Sequence, residues 1–185
     1  LPWTVDQVWS AAQAHFATIM ASGIAAIDAA HGDLLSDYTR AFAAETNAAG
    51  LSFYEGLEVE GELWQPIGEL FERCDVLLCP TMATAGYVAG EPYLTPMTIG
   101  AGSVQPNILG AMTLPFNILS RCPVMSVPSG LAPNGVPTGV QVVGRPYDDV
   151  TVFRTAAAIE AHGVGFTHAD WRPSQAVDDM VLEYR

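Results

Sequence analysis

The sequence contains no lysine, and its seven basic residues, all arginine, face 20 aspartate and glutamate residues. The resulting net charge of −13 opposes binding to phosphate backbones, and no basic stripe offsets it, so we expect no nucleic-acid partner. Long apolar runs are also lacking, since none reaches the ~20 residues that a bilayer-spanning helix needs. No charged segment followed by an apolar one opens the chain, so no signal peptide is visible and no membrane partner is expected.

Cysteine is scarce as well, with Cys74, Cys79 and Cys122 as its three occurrences. Their odd number and their spacing match no metal site. Cys74 and Cys79 flank an apolar run, where thiols usually behave as small buried hydrophobes. We therefore expect a reducing, cytoplasmic compartment, no cofactor and no metal.

Half of the 185 residues are apolar and 15% are charged, a composition typical of globular proteins. The chain opens on Leu1 rather than methionine, which suggests that further sequence precedes it. We expect residues 1–185 to form a single partial domain. Its predicted parts are a helical segment over 1–70, a core of strands and helices over 71–162, and a surface tail over 163–185.

Helical periodicity dominates the first seventy residues. The predicted helices run from the Thr4–Gln7 capping box to near Gly32, from Ser36 or Asp37 to Ala49, and from Leu63 to Glu72. Gly50 closes the second helix. Pro66 is tolerable only in the first turn of the third, which is why that helix is predicted to begin at Leu63.

The pattern changes after Asp75. Three short apolar runs predict strands at 76–79, 124–127 and 138–144, of the kind that parallel sheets bury on both faces. Between the first two, Thr81 to Pro106 is rich in glycine and proline, and a structureless stretch of this length indicates either a functional loop or an element that the pattern does not reveal. Residues 108–119 have helical spacing interrupted by Pro115, and 149–161 predict a last helix.

These elements predict the α/β class: a helical N-terminal segment followed by part of a mixed β-sheet flanked by helices. Three strands make a poor sheet alone, so we expect them side by side with at least one unpaired edge. Such an edge favours self-association, which makes a homo-oligomer an expectation of the sequence.

Four motifs carry a family resemblance. They are DVLLCPT at 75–81, FN at 116–117, PVMSVPSG at 123–130 and PTGVQVVGRP at 137–146, followed by a helix that contains Glu160. In this order the motifs resemble the C-terminal half of the amidase-signature hydrolases. The resemblance implies an enzyme that cleaves carboxamide bonds of a small-molecule amide, built on a mixed sheet wrapped in helices.

The resemblance also implies that the chemistry lies elsewhere. The family uses a nucleophilic serine, a second serine on a cis peptide and a lysine base, all in its N-terminal half. The present sequence has no Gly-Gly-Ser-Ser-Gly loop and no lysine. We therefore expect no catalytic residue in this chain, inactivity of the chain by itself, and a missing N-terminal half as its partner.

Three residues are predicted to border the substrate, again from the resemblance. Thr113 matches a family threonine, and members that serve the tRNA amidotransferase carry, three residues earlier, an aspartate that recognises the amino group of glutamine. Gly110 stands at that position, so a charge partner is lost, volume should open, and the substrate should be uncharged or aromatic. Met82 opens the loop to Gly102 that should shape the acyl pocket.

Other chemistry finds little support in the sequence. Ser126, Ser129, Asp148 and His162 are residue types of a catalytic triad, but neither serine has the glycines of a nucleophile elbow. His162, His168 and Asp170 match no metal-ligand spacing. Gln141 interrupts an apolar strand, so it must either pin a neighbouring loop or face the active-site cleft, and Gly139 suggests close backbone approach.

Three functions follow from these observations. The first is the C-terminal part of a small-molecule amidase. The second is a non-catalytic binding module, or a subunit that complements a separate catalytic chain. The third, the glutaminase subunit of a tRNA amidotransferase, is disfavoured by Gly110 and by the charge.

Overall fold

The computed structural model describes residues 1–49 and 51–163. The helices are α1 (Val5–Phe16), α2 (Ser22–His31), α3 (Asp37–Ala48), α4 (Phe53–Phe71), α5 (Leu114–Ile118) and α6 (Asp149–His162). The strands are β1 (Val76–Pro80), β2 (Met97–Ile99), β3 (Gly102–Val104), β4 (Val124–Leu131) and β5 (Pro137–Gly144). The predicted α/β class is confirmed. All of the predicted surface tail except Gly163 lies outside the described residues.

The first two predicted helices are confirmed. Thr4 Oγ1 accepts a hydrogen bond from the Gln7 backbone N–H (3.1 Å), and Gln7 Oε1 accepts one from the Thr4 N–H (3.0 Å), which completes the predicted capping box. A π-helical turn at Ala17–Ala21 joins α1 to α2, so one helical rod runs to His31 as expected. Ser36 caps α3, whereas the predicted closing residue Gly50 is outside the described residues.

The predicted start of the third helix at Leu63 is wrong, because α4 begins ten residues earlier at Phe53. A second capping box causes the early start: Ser52 Oγ accepts from the Glu55 N–H, and Glu55 Oε2 accepts from the Ser52 N–H at 2.8 Å. Pro66 therefore lies in the helix interior rather than in its first turn. The buried side chains Leu63 and Ile67 flank it, and their packing offsets the lost helical hydrogen bond.

The three predicted strands lie side by side in the order β1-β5-β4, as expected. Both pairings are antiparallel, and β5 is the central strand. In the register, Gln141 of β5 stands opposite Cys79 of β1 and Ser126 of β4. Within the described residues β1 and β4 each keep one edge without a strand partner.

The expectation of parallel-type strands buried on both faces is wrong for the edge strands. One face packs on α6 through Val127, Val142, Val152 and Ala156. The other face joins the main core between the sheet and the N-terminal helices, which consists of Ala11, Ala12, Leu63, Ile67, Phe71, Leu114, Phe116, Ile118, Leu119, Cys122 and Val143. Leu78 on β1 nevertheless stays 56% exposed, because it lies on the same face as its partner Val142 while α6 packs on β4 and β5.

The segment from Thr81 to Pro106 is not the structureless loop that its composition suggests. It contains the antiparallel hairpin β2–β3, whose turn uses Gly100 at a positive φ of 59°. The fully buried Tyr93 anchors the preceding loop, and its carbonyl accepts from the Asn107 N–H at 3.3 Å. The single predicted helix that follows is divided into a 3-10 turn and the short α5, with Pro115 in the first turn of α5.

No helix in the described part of the chain is long and apolar enough to cross a bilayer.

The open edge of β1 generates a prediction about association. We expect the 185-residue chain to self-associate with rising concentration, because exposed Leu78 sits on an unpaired strand edge. Leu78→Lys should weaken that association about tenfold or more by placing a charge on the edge. Sedimentation velocity over a concentration series measures the effect.

Leu34→Lys is the matched control, since Leu34 is 77% exposed in the 3-10 turn Gly32–Leu34, outside the sheet. A chain that stays monomeric at every concentration, or equal effects of the two lysines, would contradict the prediction.

Candidate functional site

Two of the three predicted site residues meet at a short backbone junction beyond the end of β1. Met82 forms an isolated antiparallel bridge with Ala111. The Ala83 N–H donates to the Gly110 carbonyl (2.9 Å), and the Met112 N–H donates to the Thr81 carbonyl (3.0 Å). We call the paired segments 81–83 and 110–112 the site ladder. The structure thus brings Met82 and Gly110 together across it.

Thr113, the third predicted site residue, follows the ladder directly. It is half-buried and precedes α5, and its carbonyl accepts from the Asn117 N–H at 3.0 Å. Its side chain makes no capping hydrogen bond, so the hydroxyl is not committed to the helix end. The three predicted residues therefore share one region, and their contact with substrate stays a prediction.

The expectation that glycine at position 110 opens volume is wrong for this chain. Gly110 is buried, and a Cβ added there would overlap Met97 Sδ of β2 and lie 3.3 Å from Met97 Cε. The Met97 thioether therefore fills the space that a side chain at 110 would enter. Its sulfur also lies 3.6 Å from Thr84 Oγ1, so Met97 joins the hairpin to Gly110 and to the residue that follows the other half of the site ladder.

Gln141 pins a neighbouring loop, which was one of the two alternatives for this residue. The side chain is fully buried, and Nε2 donates to the Pro80 carbonyl (3.0 Å) and to the Met112 carbonyl (2.9 Å). Its one amide nitrogen therefore joins the end of β1 to the site ladder. Burial raises the pKa of the adjacent Cys79 thiol.

Gly139 permits the close approach that the sequence suggested. A Cβ at this position would lie 3.1 Å from both Ser126 Oγ and Thr81 Oγ1. The Thr81 N–H and Oγ1 both donate to the Gly139 carbonyl, at 3.0 and 3.1 Å. The ladder strand that carries Met82 is thereby fastened to β5 on the face that bears Gln141.

A cavity of about 580 Å³ opens between the start of α1, the β2–β3 hairpin and the segment 109–116. Its lining consists of Leu1, Trp3, Thr4, Val5, Val8, Cys79, Ala83, Ile99, Gly102, Ser103, Val104, Leu109, Ala111, Met112, Leu114, Pro115 and Phe116. None of these side chains carries a formal charge, although the chain as a whole carries −13. The cavity therefore suits an uncharged, largely apolar group.

None of the three predicted site residues lines this cavity, but each is next in sequence to a residue that does. Ala83, Ala111 and Met112 are such neighbours. Met82 instead lines a second groove, of about 680 Å³, between the 78–86 segment and the turn after β4. Sequence reasoning missed Trp3 and Phe116, whose rings lie 5.9 Å apart in the wall, because their convergence has no local signal.

The residues weighed for triad chemistry have separate local roles. Ser129 Oγ lies 2.9 Å from Thr138 Oγ1 across the β4–β5 pair. Asp148 caps α6 by accepting from Thr151, and these hydrogen bonds lower its pKa. His162 Nδ1 lies 2.9 Å from the Ala158 carbonyl. The structure therefore does not join them into a catalytic array.

Metal chemistry has no candidate in this part of the molecule. No group of three or more His, Cys, Asp and Glu side chains within 1–49 and 51–163 is placed to hold an ion. His168 and Asp170, which the sequence suggested as a trio with His162, lie outside the described residues.

Comparison with known proteins gives one family and two groups of relatives. The model of the family described as Amidase matches residues 7–153. A glutamyl-tRNA(Gln) amidotransferase subunit of Granulibacter bethesdensis is 33% identical over 128 residues, 69% of this chain and 23% of that protein. The corresponding protein of Bacillus pumilus is 38% identical over 92 residues, 50% of this chain and 17% of that protein.

Solved structures share the fold. A bacterial aryl acylamidase of the amidase-signature family has a TM-score of 0.70 at 23% identity, covering 86% of this chain and 34% of its own. A protein described as an amidase has a TM-score of 0.73 at 20% identity, covering 86% of this chain and 36% of its own. The chain thus spans about a quarter of the first curated relative and about a third of these structures.

The contact between Gly110 and Met97 predicts an energetic coupling. Gly110→Ala should lower the free energy of unfolding by about 1 kcal/mol, the lower end of the cost of overpacking, because the added methyl displaces the end of the flexible, half-buried Met97 side chain. Met97→Ala should relieve the overlap, so the double variant should lose less stability than the two single variants together, by about 0.5–1 kcal/mol. Urea unfolding of the four proteins gives the coupling.

Gly61→Ala is the matched control, because a Cβ there meets nothing within 4 Å on the exposed side of α4. It should stabilise the chain by up to about 1 kcal/mol, as expected for alanine replacing glycine in a helix. Strict additivity of the Gly110 and Met97 substitutions would show that the two positions do not interact.

Proposed function

This chain belongs to the amidase family, and from that membership we propose that it is the C-terminal part of an enzyme that hydrolyses carboxamide C–N bonds of small, uncharged or aromatic substrates. The observation that carries the substrate class is the cavity of about 580 Å³ beside the site ladder, whose lining side chains carry no formal charge. In this proposal the chain supplies a wall of the substrate site, and a separate N-terminal half supplies the chemistry.

The proposal that the catalytic residues lie in a separate segment follows from the composition of this chain. A lysine base cannot come from a chain without lysine. Ser129 and His162, the residue types of a triad, are held in local hydrogen bonds of the sheet and of α6. No residue here is therefore proposed as catalytic. Gly110, Thr113 and Met82 remain the proposed substrate-binding positions, supported by their convergence on the site ladder.

The proposed preference for uncharged substrates has a simple electrostatic basis. A substrate with an α-ammonium group needs a carboxylate or several acceptors when it leaves water. Position 110 offers no side chain, and the nearest group there is the Met97 thioether. The cavity lining adds one hydroxyl from Thr4 and one from Ser103, but no carboxylate. A neutral aryl or alkyl acyl group is the better match.

Two other functions remain as alternatives, and each predicts a different result in the hydrolysis assays described below. The names of the curated relatives favour a glutaminase subunit of a tRNA amidotransferase, which would act on glutamine. A non-catalytic module, or a subunit complementing a catalytic chain, would bind without hydrolysis even in a longer protein. The absence of a carboxylate at position 110 argues against the first alternative.

We further propose a cytoplasmic protein that binds neither nucleic acid nor membrane. Cys74, Cys79 and Cys122 are all unpaired, a state that a reducing compartment maintains. The net charge of −13 opposes phosphate backbones and anionic lipid. The proposed partners are the N-terminal half, a small-molecule amide and, through the open β1 edge, a second copy.

Hydrolysis assays test this function directly. The 185-residue chain should not hydrolyse benzamide, acetanilide or glutamine above background, because it lacks the base. A longer protein that adds the N-terminal half should hydrolyse the neutral aromatic amides with at least ~10-fold higher kcat/KM than glutamine, equivalent to about 1.4 kcal/mol. Ammonia and aniline release measure the rates.

Gly110→Asp in the longer protein should lower kcat/KM for the aromatic amides at least ~10-fold, since it places an unpaired carboxylate against Met97. Gly23→Asp, on α2 where nothing lies within 4 Å, is the control. Preference for glutamine would support the glutaminase alternative. Turnover by the 185-residue chain alone would overturn the assignment of the chemistry to another segment.

A further inference from the structure

We propose that Gln141 is the positioning residue of the substrate-site wall: through two hydrogen bonds from its amide it sets the place of the site ladder relative to the sheet. This inference rests on the proposed function, since it assigns Gln141 an effect on substrate binding at that same wall. The residue itself is fully buried and does not line the cavity.

The geometry places Gln141 where three parts of the chain meet. It lies in the central strand, between Cys79 of β1 and Ser126 of β4. Nε2 reaches the Pro80 carbonyl at 3.0 Å and the Met112 carbonyl at 2.9 Å. Pro80 ends β1 and directly precedes one half of the ladder, and Met112 ends the other half, so one side chain joins the end of β1 to the second half.

The chemistry requires a primary amide of this length. A side-chain NH2 group provides two N–H donors, and both are directed at carbonyl oxygens here. A carboxylate would turn two attractive contacts into repulsive ones, and methionine has the length but no donor. Asparagine has the donors but is one methylene shorter.

The ladder depends on this bond because little else holds it. Its own pairing is a single bridge made of two backbone hydrogen bonds, and the Thr81–Gly139 contact fastens only the first half to β5. Apart from Gln141, the second half is held by the Ala111 N–H, which donates to the Ile108 carbonyl within the same segment, and by Met97 of the hairpin, and neither contact ties it to the sheet. The second half, 110–112, carries Gly110 and two cavity-lining residues. Loss of the Met112 contact would therefore let the wall of the cavity move.

A purely structural role explains the residue less well. Gln141 Oε1 is buried without a hydrogen-bond partner among the described residues. An unpaired buried acceptor is a free-energy cost that an apolar residue in this apolar strand would avoid. The two donor contacts of the same amide are the feature that an apolar residue could not supply.

The experiment has one arm that needs no activity. In Gln141→Met within the 185-residue chain, hydrogen exchange at the Ala83 and Met112 amides should accelerate at least ~10-fold. Exchange in the β4–β5 pairing should change much less. Gln141→Asn, which keeps an amide, should give the same local pattern if the methionine variant does not fold.

The second arm is kinetic and uses the longer protein. Gln141→Met should raise KM for benzamide at least ~10-fold, while kcat changes by less than ~3-fold, because binding to the wall is lost in ground state and transition state alike. Val142→Ala is the matched control: Val142 is equally buried in the next position of β5 but faces α6. It should lower stability without changing KM.

The outcomes separate the two ideas. Exchange that is unchanged at Ala83 and Met112, or accelerated equally throughout the sheet, overturns the positioning role whatever the activity. An equal rise in KM in Val142→Ala also overturns it. If the longer protein cleaves no amide, the proposed function fails, and the exchange arm still decides whether Gln141 positions the ladder.

Discussion

The two hydrogen bonds from the buried Gln141 amide are the constraint on which the candidate site depends. They join the central strand β5 to the end of β1 and to the segment that carries Gly110. The ladder, the Met97 contact from the hairpin and the start of α5 all lie at or near this point, whereas the start of α1 closes the cavity from the other side. The Gln141 amide, at the centre of an apolar strand, thus connects the sheet to a site that is built from irregular backbone.

The sheet supports the site because its two faces pack against different parts of the chain. The α6 side is a small apolar layer around Val142 and Val152. The opposite side continues into the main core with α1, α4 and α5, where burial raises the pKa of Cys122 to about 11 and keeps the thiol neutral. The uncharged cavity is an extension of that second side, so its apolar character follows from the core around it. Although the chain carries a net charge of −13, the packing of the core leaves no charged side chain in the cavity lining.

Local signals in the sequence predicted the elements well and their assembly only in part. The apolar runs that became β1, β4 and β5, and the Thr4 capping box, need only neighbouring residues to be recognised. The early start of α4 also had a local signal, Ser52 with Glu55, but Pro66 argued against a long helix until the packing of Leu63 and Ile67 was known. The overlap of Met97 with position 110, and the approach of Trp3 to Phe116, join residues far apart in sequence. No local pattern contains such contacts, which is why Trp3 and Phe116 were not predicted, whereas the loop from Met82 to Gly102 was, and it supplies Ala83, Ile99 and Gly102 to the cavity lining.

The central claim is that this chain forms the wall of a site for uncharged amides, and ligand mapping on the 185-residue chain tests it most directly. In an NMR titration, benzamide should shift the backbone amide resonances of Ala83, Ala111 and Phe116 in a saturable way. Glutamine at the same concentration should leave those resonances unchanged, because the lining side chains carry no charge to pair with its ammonium and carboxylate groups. Benzamide shifts confined to other parts of the chain, or equal shifts with glutamine, would contradict the account.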